Sequence, residues 1–499
     1  MDQQAEPEMK KQGTGTARTA LNLMVLLLVG FGMFAAAGAA PHFLVTPALA
    51  DDDGDDGGGS YGGGGGGDDD DDGYRGGGQP PRVLRQLMRP FGGVFRPARP
   101  RRSAPVVRIP AMAEREIVAM GLSDDNLTTL QGRGYELVEQ ATLPALDRTV
   151  VTLEIPEATD LDAARQEIRT LDAGADVDFN HYYSPSQETD AAARCEGQGC
   201  WPRELIGWPA GGPAGSDGCR APVRIGMIDT GINPDHEAFD GTVLEVKRIG
   251  DEEERESGRQ HGTAVAALLA GALSSRTSGL LPEARLFAVD AFFGAGGGND
   301  RAEAFHLVAA IDYLIGRQVS VINMSLAGEA NEVLRQAIGL ATTDGRTVLV
   351  AAVGNEGPRA GPVYPAAYPG VLAVTAVDRS KRVYRRAVQG AYVDIAAPGV
   401  GIWTAASIRG GRPKTGTSFA APYVAAAAAL LKAREPDLKW QEVKERLYAR
   451  ASDIGEPGRD NVFGWGLLNA SEICNGSTKP ASAPADQLLP STPQVRDRQ

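Results

Sequence analysis

The chain has 499 residues, of which 42% are hydrophobic and 23% are charged, and its formal net charge is −14. Because this length exceeds one ordinary hydrophobic core, we expect two or three globular units with polar extensions. The negative net charge, without a recognisable nucleic-acid motif, argues against nucleic acid as a partner.

The first 50 residues predict an export segment. An apolar run over 20–40 follows three basic residues and precedes the small-residue sequence Ala48-Leu49-Ala50, which is typical of a secretory signal cleaved before Asp51. Because the run is long enough to span a bilayer, an uncleaved membrane tether through residues 20–40 is the alternative. Either interpretation of residues 1–50 implies a periplasmic, extracellular or membrane-anchored protein.

Residues 51–110 predict a disordered linker with two oppositely charged parts. The Asp and Gly runs over 51–78 cannot bury apolar area and favour a flexible acidic tether. Loose calcium association is the alternative, although the tract lacks the ligand spacing of a calcium loop. The Arg/Pro-rich segment 81–108 reverses the sign and, in our interpretation, neutralises the tether in cis.

Hydrophobic patterning over 111–184 predicts a small α+β domain. Its elements follow the order strand, helix, strand, strand, helix, strand, which is the split βαβ arrangement. The predicted elements are strands Glu116–Met120, Glu136–Gln140, Thr149–Ile155 and Val177–Tyr183, and helices Asp124–Gly132 and Asp160–Leu171. Small domains of this order serve many functions, so an adaptor role is an open alternative.

The connector over 185–221 contains three of the four cysteines, Cys195, Cys200 and Cys219, and Cys474 lies far downstream. Their spacing does not match a zinc site, and an exported chain favours disulfides. Four cysteines permit three pairings. We favour Cys195 with Cys200, and Cys219 with Cys474.

Residues 222–474 alternate apolar, β-rich runs with longer helical patterns, and a Pro/Ser/Ala-rich tail over 475–499 predicts disorder. The predicted strands are Val223–Ile228, Leu286–Val289, Val319–Asn323, Thr347–Val353 and Val371–Val377, and the predicted helices are Thr263–Leu273, Ala302–Ile315, Glu332–Ala341 and Phe419–Ala433. This alternation favours a doubly wound, mostly parallel α/β sheet with helices on both faces. Sites in such sheets form beyond the carboxyl ends of the strands.

Five short motifs lie far apart in this region, and three of them supply an acid, a base and an alcohol for acyl transfer by an activated serine. The motifs are Asp229-Thr230-Gly231, His261-Gly262-Thr263, Ile322–Gly328, Ala352–Gly357 and Gly416–Pro422. Their content and order resemble the subtilisin-like serine peptidases, the subtilase family, over about residues 222–472. The resemblance implies a subtilisin-like fold and serine endopeptidase activity.

The resemblance also implies a role for each motif. Asp229 orients His261, which takes the proton from Ser418, and Ser418 begins the last predicted helix and attacks the peptide carbonyl. Asn355 donates a hydrogen bond to the oxyanion. Substrate pairs as an added strand with Ser325, Leu326, Ala327 and Gly328, and Gly354 leaves room for the residue before the scissile bond.

Five histidines compete for the role of the base. His42, His181 and His306 lie in the signal segment, the small domain and a helix pattern, so His236 and His261 remain. His236 follows an Asn-Pro-Asp turn and is assigned a surface or structural role. Ala264 stands where the commonest family pattern has a second histidine, and this departure leaves the triad assignment unchanged.

The chemistry requires no cofactor and no metal. The segment Leu273–Gly279 is shorter and less oxygen-rich than the calcium loop frequent in the family, so we expect no family-type calcium site there.

The small domain stands where subtilases carry an inhibitory propeptide. We expect Phe179–Tyr183 to lie in the active cleft in cis, as a product peptide would. The combined prediction is an exported serine endopeptidase, made as a self-inhibited precursor, that hydrolyses proteins or peptides through an acyl-enzyme. The rival functions are a pseudoenzyme scaffold and an esterase; the esterase requires a Gly-x-Ser-x-Gly elbow, which Ser418 lacks.

Overall fold

Regular structure is found in an N-terminal antiparallel sheet and in a larger parallel sheet. The computed structural model describes residues 9–11, 110–185, 189–190, 201–209, 223–250, 253–294 and 299–473, with the backbone alone at 9–11 and 189–190. These ranges belong to one compact unit. The predicted signal segment, the linker, all four cysteines and the tail lie outside the described residues. Within the described ranges, no helix combines the length and apolar content needed to cross a bilayer.

The N-terminal part has the predicted split βαβ order. Its antiparallel strands, β1 (Met9–Lys11), β2 (Met112–Met120), β3 (Glu136–Leu143), β4 (Arg148–Glu154) and β5 (Asp176–Pro185), lie in the order β1-β3-β4-β2-β5. Helices α1 (Asp124–Gly132) and α2 (Leu161–Leu171) cross between them. Each begins at a side-chain cap: Ser123 accepts from Asn126 N at 3.3 Å, and Asp160 accepts from Asp162 N at 2.7 Å.

This sheet is buried on both faces. Successive side chains of a strand point to opposite faces, and Ile117 and Val118 on β2 accordingly enter different cores. Ile117 packs with Ile168 of α2, whereas Val118 and Met120 join the core of the larger part of the molecule. The N-terminal part therefore has a core of its own and a second apolar face covered by the rest of the chain.

The larger part is built on a seven-stranded sheet in which every neighbouring pair is parallel. Its strands are β7 (Arg224–Asp229), β8 (Val243–Arg248), β9 (Arg285–Asp290), β12 (Val321–Met324), β14 (Val348–Ala352), β15 (Val371–Val377) and β16 (Ile395–Pro398), in the order β16-β15-β14-β12-β7-β9-β8. The predicted α/β fold is thereby confirmed, with β8 and β16 as additional edge strands. Sequence patterning missed β8 because its side chains are charged or half-exposed, and β16 because it is short and ends in proline.

Helices cover this sheet. They are α3 (Trp201–Leu205), α4 (Gln260–Ala270), α5 (Ala304–Gly316), α6 (Glu332–Thr343), α7 (Ala421–Arg434) and α8 (Trp440–Arg450). The helix predicted over Thr263–Leu273 instead ends at Ala270, because Gly271 turns the chain out of helical conformation and leaves Leu273 half-exposed.

Short strands complete the region around the parallel sheet. They are β6 (Thr189–Asp190), β10 (Phe293–Gly294), β11 (Asp300–Glu303), β13 (Leu326–Gly328), β17 (Ile402–Ala405) and β18 (Gly411–Thr415). Strand β5 leaves the N-terminal sheet and pairs antiparallel with both β11 and β13. The end of the N-terminal part is thus inserted between two edges of the larger part.

Candidate active site

Asp229 and His261 meet at the carboxyl end of the parallel sheet. Asp229 is the last residue of β7, and His261 is the second residue of α4. His261 Nδ1 lies 2.6 Å from Asp229 Oδ1, and both side chains are buried. A hydrogen bond of this length from Nδ1 to a carboxylate fixes the imidazole tautomer and turns Nε2 away from the acid.

The threonines of the two motifs hold this pair together. Thr230 Oγ1 accepts a hydrogen bond from Gly262 N at 3.0 Å, and Thr263 Oγ1 accepts one from Asn233 N at 2.9 Å. Gly262 is also in close backbone contact, because a methyl group there would lie 2.2 Å from Thr230 O. The loop after β7 and the start of α4 therefore interlock, and only glycine fits between them.

The turn that contains Ser418 contacts His261 through Phe419, and Ser418 does not begin a helix. It is the middle residue of a 3-10 turn, Thr417–Phe419, and α7 begins only at Ala421, which corrects the prediction that Ser418 starts the helix. The ring of Phe419 lies 5.6 Å from that of His261, centroid to centroid. Ser325 Oγ donates to Ser418 O at 2.9 Å, and Ser418 Oγ has no hydrogen bond to any described residue. The backbone of Ser418 is therefore held by Ser325.

Asn355 follows β14 and is held by the residue before Ser418. Its Oδ1 accepts hydrogen bonds from Thr417 N at 3.1 Å and Thr417 Oγ1 at 3.0 Å, and the side chain is fully buried. Both hydrogen bonds come from the residue that precedes Ser418, so the orientation of the Asn355 amide is tied to the turn that contains Ser418. The role of Thr417 was not predicted, although it directly precedes Ser418 in the same motif.

The segment Leu326–Gly328 forms β13, and β5 pairs with it. The antiparallel register aligns Pro185 with Leu326, Ser184 with Ala327 and Tyr183 with Gly328. Ser325 immediately precedes this strand, and its hydroxyl accepts from Asn323 Nδ2 at 3.0 Å. An extended peptide is thus bound by backbone pairing next to Ser418.

Tyr183 is fully buried at this contact. A methyl group at Gly328 would lie 2.3 Å from the Tyr183 ring, and the Tyr183 hydroxyl donates to Glu329 O at 3.0 Å.

Gly354 has φ +94°, and a methyl group there would lie 2.4 Å from Glu356 Oε2 and 3.2 Å from the Val363 side chain. The positive φ favours glycine at position 354, and a larger residue there would also displace the Glu356 carboxylate and press on Val363.

A second buried acid supports the loop after β7. Ser257 Oγ accepts from Gly231 N at 2.7 Å and donates to Asp290 Oδ1 at 2.9 Å. Burial raises the pKa of Asp290 to about 6, and the hydrogen bond from Ser257 works in the opposite direction. Asp290 ends β9 beside Asp229, so the like charge of Asp229 also raises the pKa of Asp290.

The other described histidines have different environments. His236 is buried, its Nδ1 accepts from Ala238 N at 2.9 Å, and its Nε2 lies 3.0 Å from Gly410 O. It therefore has a structural role, in the interior rather than at the surface. His181 lies 3.1 Å from the Asn331 amide, and burial lowers its pKa. His306 belongs to a buried cluster with Glu139 and Glu303.

Contacts between the N-terminal part and the larger part were not predicted residue by residue. Asp178 Oδ2 accepts from Glu332 N at 2.8 Å, at the start of α6, and Asn331 Nδ2 donates to Phe179 O at 2.9 Å. Asp312 Oδ1 accepts from Ala145 N at 2.8 Å and Leu146 N at 2.9 Å. Asn331 precedes a predicted helix and could have been recognised as its cap, but no sequence signal identifies its second partner.

Comparison with known proteins identifies the family. A profile described as the subtilase family matches residues 221–466. Subtilisin DY of Bacillus licheniformis is 34% identical over 255 residues, which cover 50% of this chain and 89% of the relative. Subtilisin Savinase of Lederbergia lenta is 32% identical over 253 residues, covering 50% and 89%, respectively. Minor extracellular protease Epr of Bacillus subtilis (strain 168) is 31% identical over 277 residues, covering 55% and 41%.

A solved structure agrees in fold. Fervidolysin from Fervidobacterium pennivorans, described as a keratinolytic enzyme related to subtilisin, matches with a TM-score of 0.63 and 21% identity, over 74% of this chain and 62% of that chain. This likeness extends beyond the half of the chain matched by the sequence relatives. The identity to Subtilisin DY and Subtilisin Savinase, each covered over 89% of its length, shows that the chain belongs to the subtilase family and is a serine-type endopeptidase.

Proposed function

We propose that Asp229, His261 and Ser418 are the catalytic triad. Ser418 Oγ attacks the peptide carbonyl carbon while His261 Nε2 takes its proton, and the imidazolium then protonates the leaving amine. Water attacks the acyl-enzyme by the same route, and Ser418 regains its proton. The observation that carries this proposal is the 2.6 Å contact between His261 and Asp229 beside the Ser418 turn.

Asn355 serves as the side-chain donor to the oxyanion, together with the backbone N–H of Ser418. The two hydrogen bonds from Thr417 support this assignment, because they orient the amide before substrate binds. The segment Ser325–Gly328 binds the substrate backbone as an added strand, and Gly354 leaves room next to the scissile bond.

The N-terminal part, within residues 111–184, acts as an inhibitory propeptide in cis. This role is supported by the path of β5, since Tyr183–Pro185 pairs with the same strand that we assign to substrate. The contacts of Asp178 and Asp312 with the larger part support the same arrangement. The catalytic domain comprises residues 222–474, with a connector over 185–221 that is cut during maturation.

The protein acts outside the cytoplasm. Support comes from the apolar segment followed by small residues ahead of Asp51 and from the extracellular protease among the relatives. N-terminal sequencing of the secreted protein tests this proposal, and a sequence beginning near Asp51 or within the connector is expected.

Activity-based labelling tests the triad. A fluorophosphonate should label the mature enzyme, and Ser418→Ala should lose both the label and casein cleavage. Labelling that persists in Ser418→Ala would reject the assignment of the nucleophile. The separate segment 110–185, added to mature enzyme, should inhibit casein cleavage, and lack of inhibition would contradict the propeptide assignment alone.

A further inference from the structure

Three side chains of types that bind metals meet between the N-terminal part and the larger part, which we assign as the catalytic part. Glu139 comes from β3, Glu303 is the last residue of β11, and His306 lies in the first turn of α5. One ligand atom from each lies within 4.8 Å of the others. Glu139 is 5% exposed and His306 is 1% exposed, so the cluster is closed to solvent on both of these sides.

The imidazole of His306 is buried without a hydrogen bond. Neither ring nitrogen has a hydrogen-bond partner among the described residues, and Nε2 lies 3.6 Å from Glu139 Oε2. The rings of Phe293 and Phe305 pack against it at 6.2 and 5.8 Å, centroid to centroid. Native proteins rarely leave a buried polar group unsatisfied, so Nδ1 and Nε2 of His306 indicate that a partner is missing.

Negative charge accumulates around this imidazole. Asn180 Nδ2 donates to Glu303 Oε2 and to Glu116 Oε2, each at 2.8 Å, which places a third carboxylate beside the cluster. The charge of Glu254 also acts on His306. A divalent cation between Glu139, Glu303 and His306 would bind the two carboxylates and give the buried imidazole a partner.

We propose that Glu139, Glu303 and His306 bind one zinc ion. An imidazole with two carboxylates suits zinc, whereas calcium and magnesium select oxygen ligands alone. At the usual zinc–ligand distances, two tetrahedral ligand atoms lie about 3.4 Å apart. His306 Nε2 and Glu139 Oε2, which are 3.6 Å apart, therefore need to move little, and Glu303 needs a modest movement. A water molecule would complete four-coordination.

The site joins the two parts of the precursor. Glu139 belongs to the part that we assign as inhibitory, and Glu303 and His306 belong to the catalytic part. Zinc would therefore hold the N-terminal part in place. Once that part dissociates, the cluster would lose Glu139 and be incomplete. This consequence rests on the proposed propeptide role, whereas zinc binding itself depends on the cluster alone. The sequence analysis predicts no metal from the chemistry and from the Leu273–Gly279 loop, and neither argument concerns ligands that lie far apart in the chain.

Zinc titration of the full-length chain carrying Ser418→Ala tests the proposal, because this variant cannot cleave itself. In competition with a chromophoric chelator, we expect one tightly bound zinc ion per chain. Glu139→Gln and His306→Gln should each weaken zinc binding by about ten-fold or more. Glu136→Gln, an exposed residue on the same strand, and His236→Gln, a hydrogen-bonded buried histidine, should leave zinc affinity unchanged.

Two further measurements separate this site from other outcomes. Zinc should raise the melting temperature of the Ser418→Ala chain and leave that of Glu139→Gln unchanged. Zinc held at the triad would be lost with His261→Gln and retained with Glu139→Gln, which would overturn the proposal. Failure of the Ser418→Ala chain itself to take up zinc would overturn it regardless of whether the variants fold, and it would leave the labelling test of the triad unaffected.

Discussion

Individual contacts explain why the site tolerates little change. The Asp229–His261 contact of 2.6 Å depends on two loops that approach within van der Waals limits, with Gly262 against Thr230 O. Ser418 is placed in the same indirect way, through Ser325 and Thr417. The geometry of the proposed triad therefore depends on residues that position it as well as on its own three side chains.

Gly262→Ala should disable the enzyme although it adds a single methyl group. That methyl would lie 2.2 Å from Thr230 O, so α4 has to move and carry His261 away from Asp229. We expect kcat/KM to fall by about 100-fold, because a misplacement near 1 Å has that effect on positioned groups. Gly339→Ala is the control, since a methyl group there meets nothing within 4 Å. Equal activity of the two variants would contradict the positioning role.

Asn355→Leu should lower kcat with little change in KM. In subtilisin, where the effect was measured, loss of the corresponding donor costs about 10²–10³ in turnover, and we expect the same range here. Steady-state kinetics on a peptide substrate gives both constants, and near-ultraviolet circular dichroism checks that the fold is intact. A variant with nearly full kcat would mean that another group stabilises the oxyanion.

Asp290 should make stability depend on pH. Its pKa is raised by burial from 3.8 to about 6, so the folded state holds a proton that the unfolded state has already released in this range. The free energy of unfolding should therefore fall as pH rises from about 4 to 6, by up to about 3 kcal/mol, and then level off. Denaturant unfolding of the Ser418→Ala chain with and without Asp290→Asn measures this. Parallel pH profiles for the two proteins would refute the prediction.

At the level of elements, β5 connects the two parts of the molecule. Its first half completes the N-terminal sheet beside β2, and its end pairs with β11 and β13. Backbone pairing fixes the register, and the buried Tyr183 adds the apolar contact and one hydrogen bond. The same strand thus serves the N-terminal fold and the cleft.

Tyr183→Ala should weaken inhibition by the segment 110–185. Truncating a fully buried aromatic side chain costs about 3–5 kcal/mol, so the inhibition constant should rise at least about 100-fold. Tyr183→Phe removes only the hydrogen bond to Glu329 O and should change the inhibition constant by less than about ten-fold. Inhibition of mature enzyme by each segment gives the constants. Equal inhibition constants for the unchanged segment, Tyr183→Ala and Tyr183→Phe would show that β5 does not bind in the cleft.

At the level of the whole molecule, the N-terminal sheet covers apolar surface on the catalytic part. Val118, Met120 and Leu143 share one core with the parallel sheet and its helices. The opposite face has a separate core around Ile117 and Ile168. The N-terminal part therefore combines a core of its own with an apolar face that the catalytic part covers.

A chain without residues 110–185 should refold poorly from denaturant. Its catalytic part would expose the apolar surface that the N-terminal sheet covers, which favours aggregation during folding. We expect a lower yield of fluorophosphonate-labelled enzyme and recovery of that yield when the segment is added separately. Equal yields with and without the segment would contradict this role.

The sequence by itself determined the parallel sheet, the identity of the motif residues and the order of the main elements, although helices α3 and α8 and most of the short strands were not predicted. Apolar runs report burial directly, and the α1 and α6 starts carry side-chain caps at Ser123 and Asn331. The family motifs named Asp229, His261 and Ser418, although patterning placed Ser418 at a helix start rather than in the turn before α7. The end of α4 and the edge strands β8 and β16 were missed, because local pattern is weakest at boundaries and edges.

Only the tertiary structure decided which distant residues meet. Four features join segments far apart in the chain. They are the hydrogen bonds from Thr417 to Asn355, the close backbone packing of Gly262 against Thr230, the pairing of β5 with β13, and the cluster of Glu139, Glu303 and His306. Such contacts follow from how sheets and helices pack, and side-chain periodicity along one segment contains no information about the partner across the interface. The sequence therefore determines which chemical groups are present, whereas the fold determines which of these groups lie next to one another.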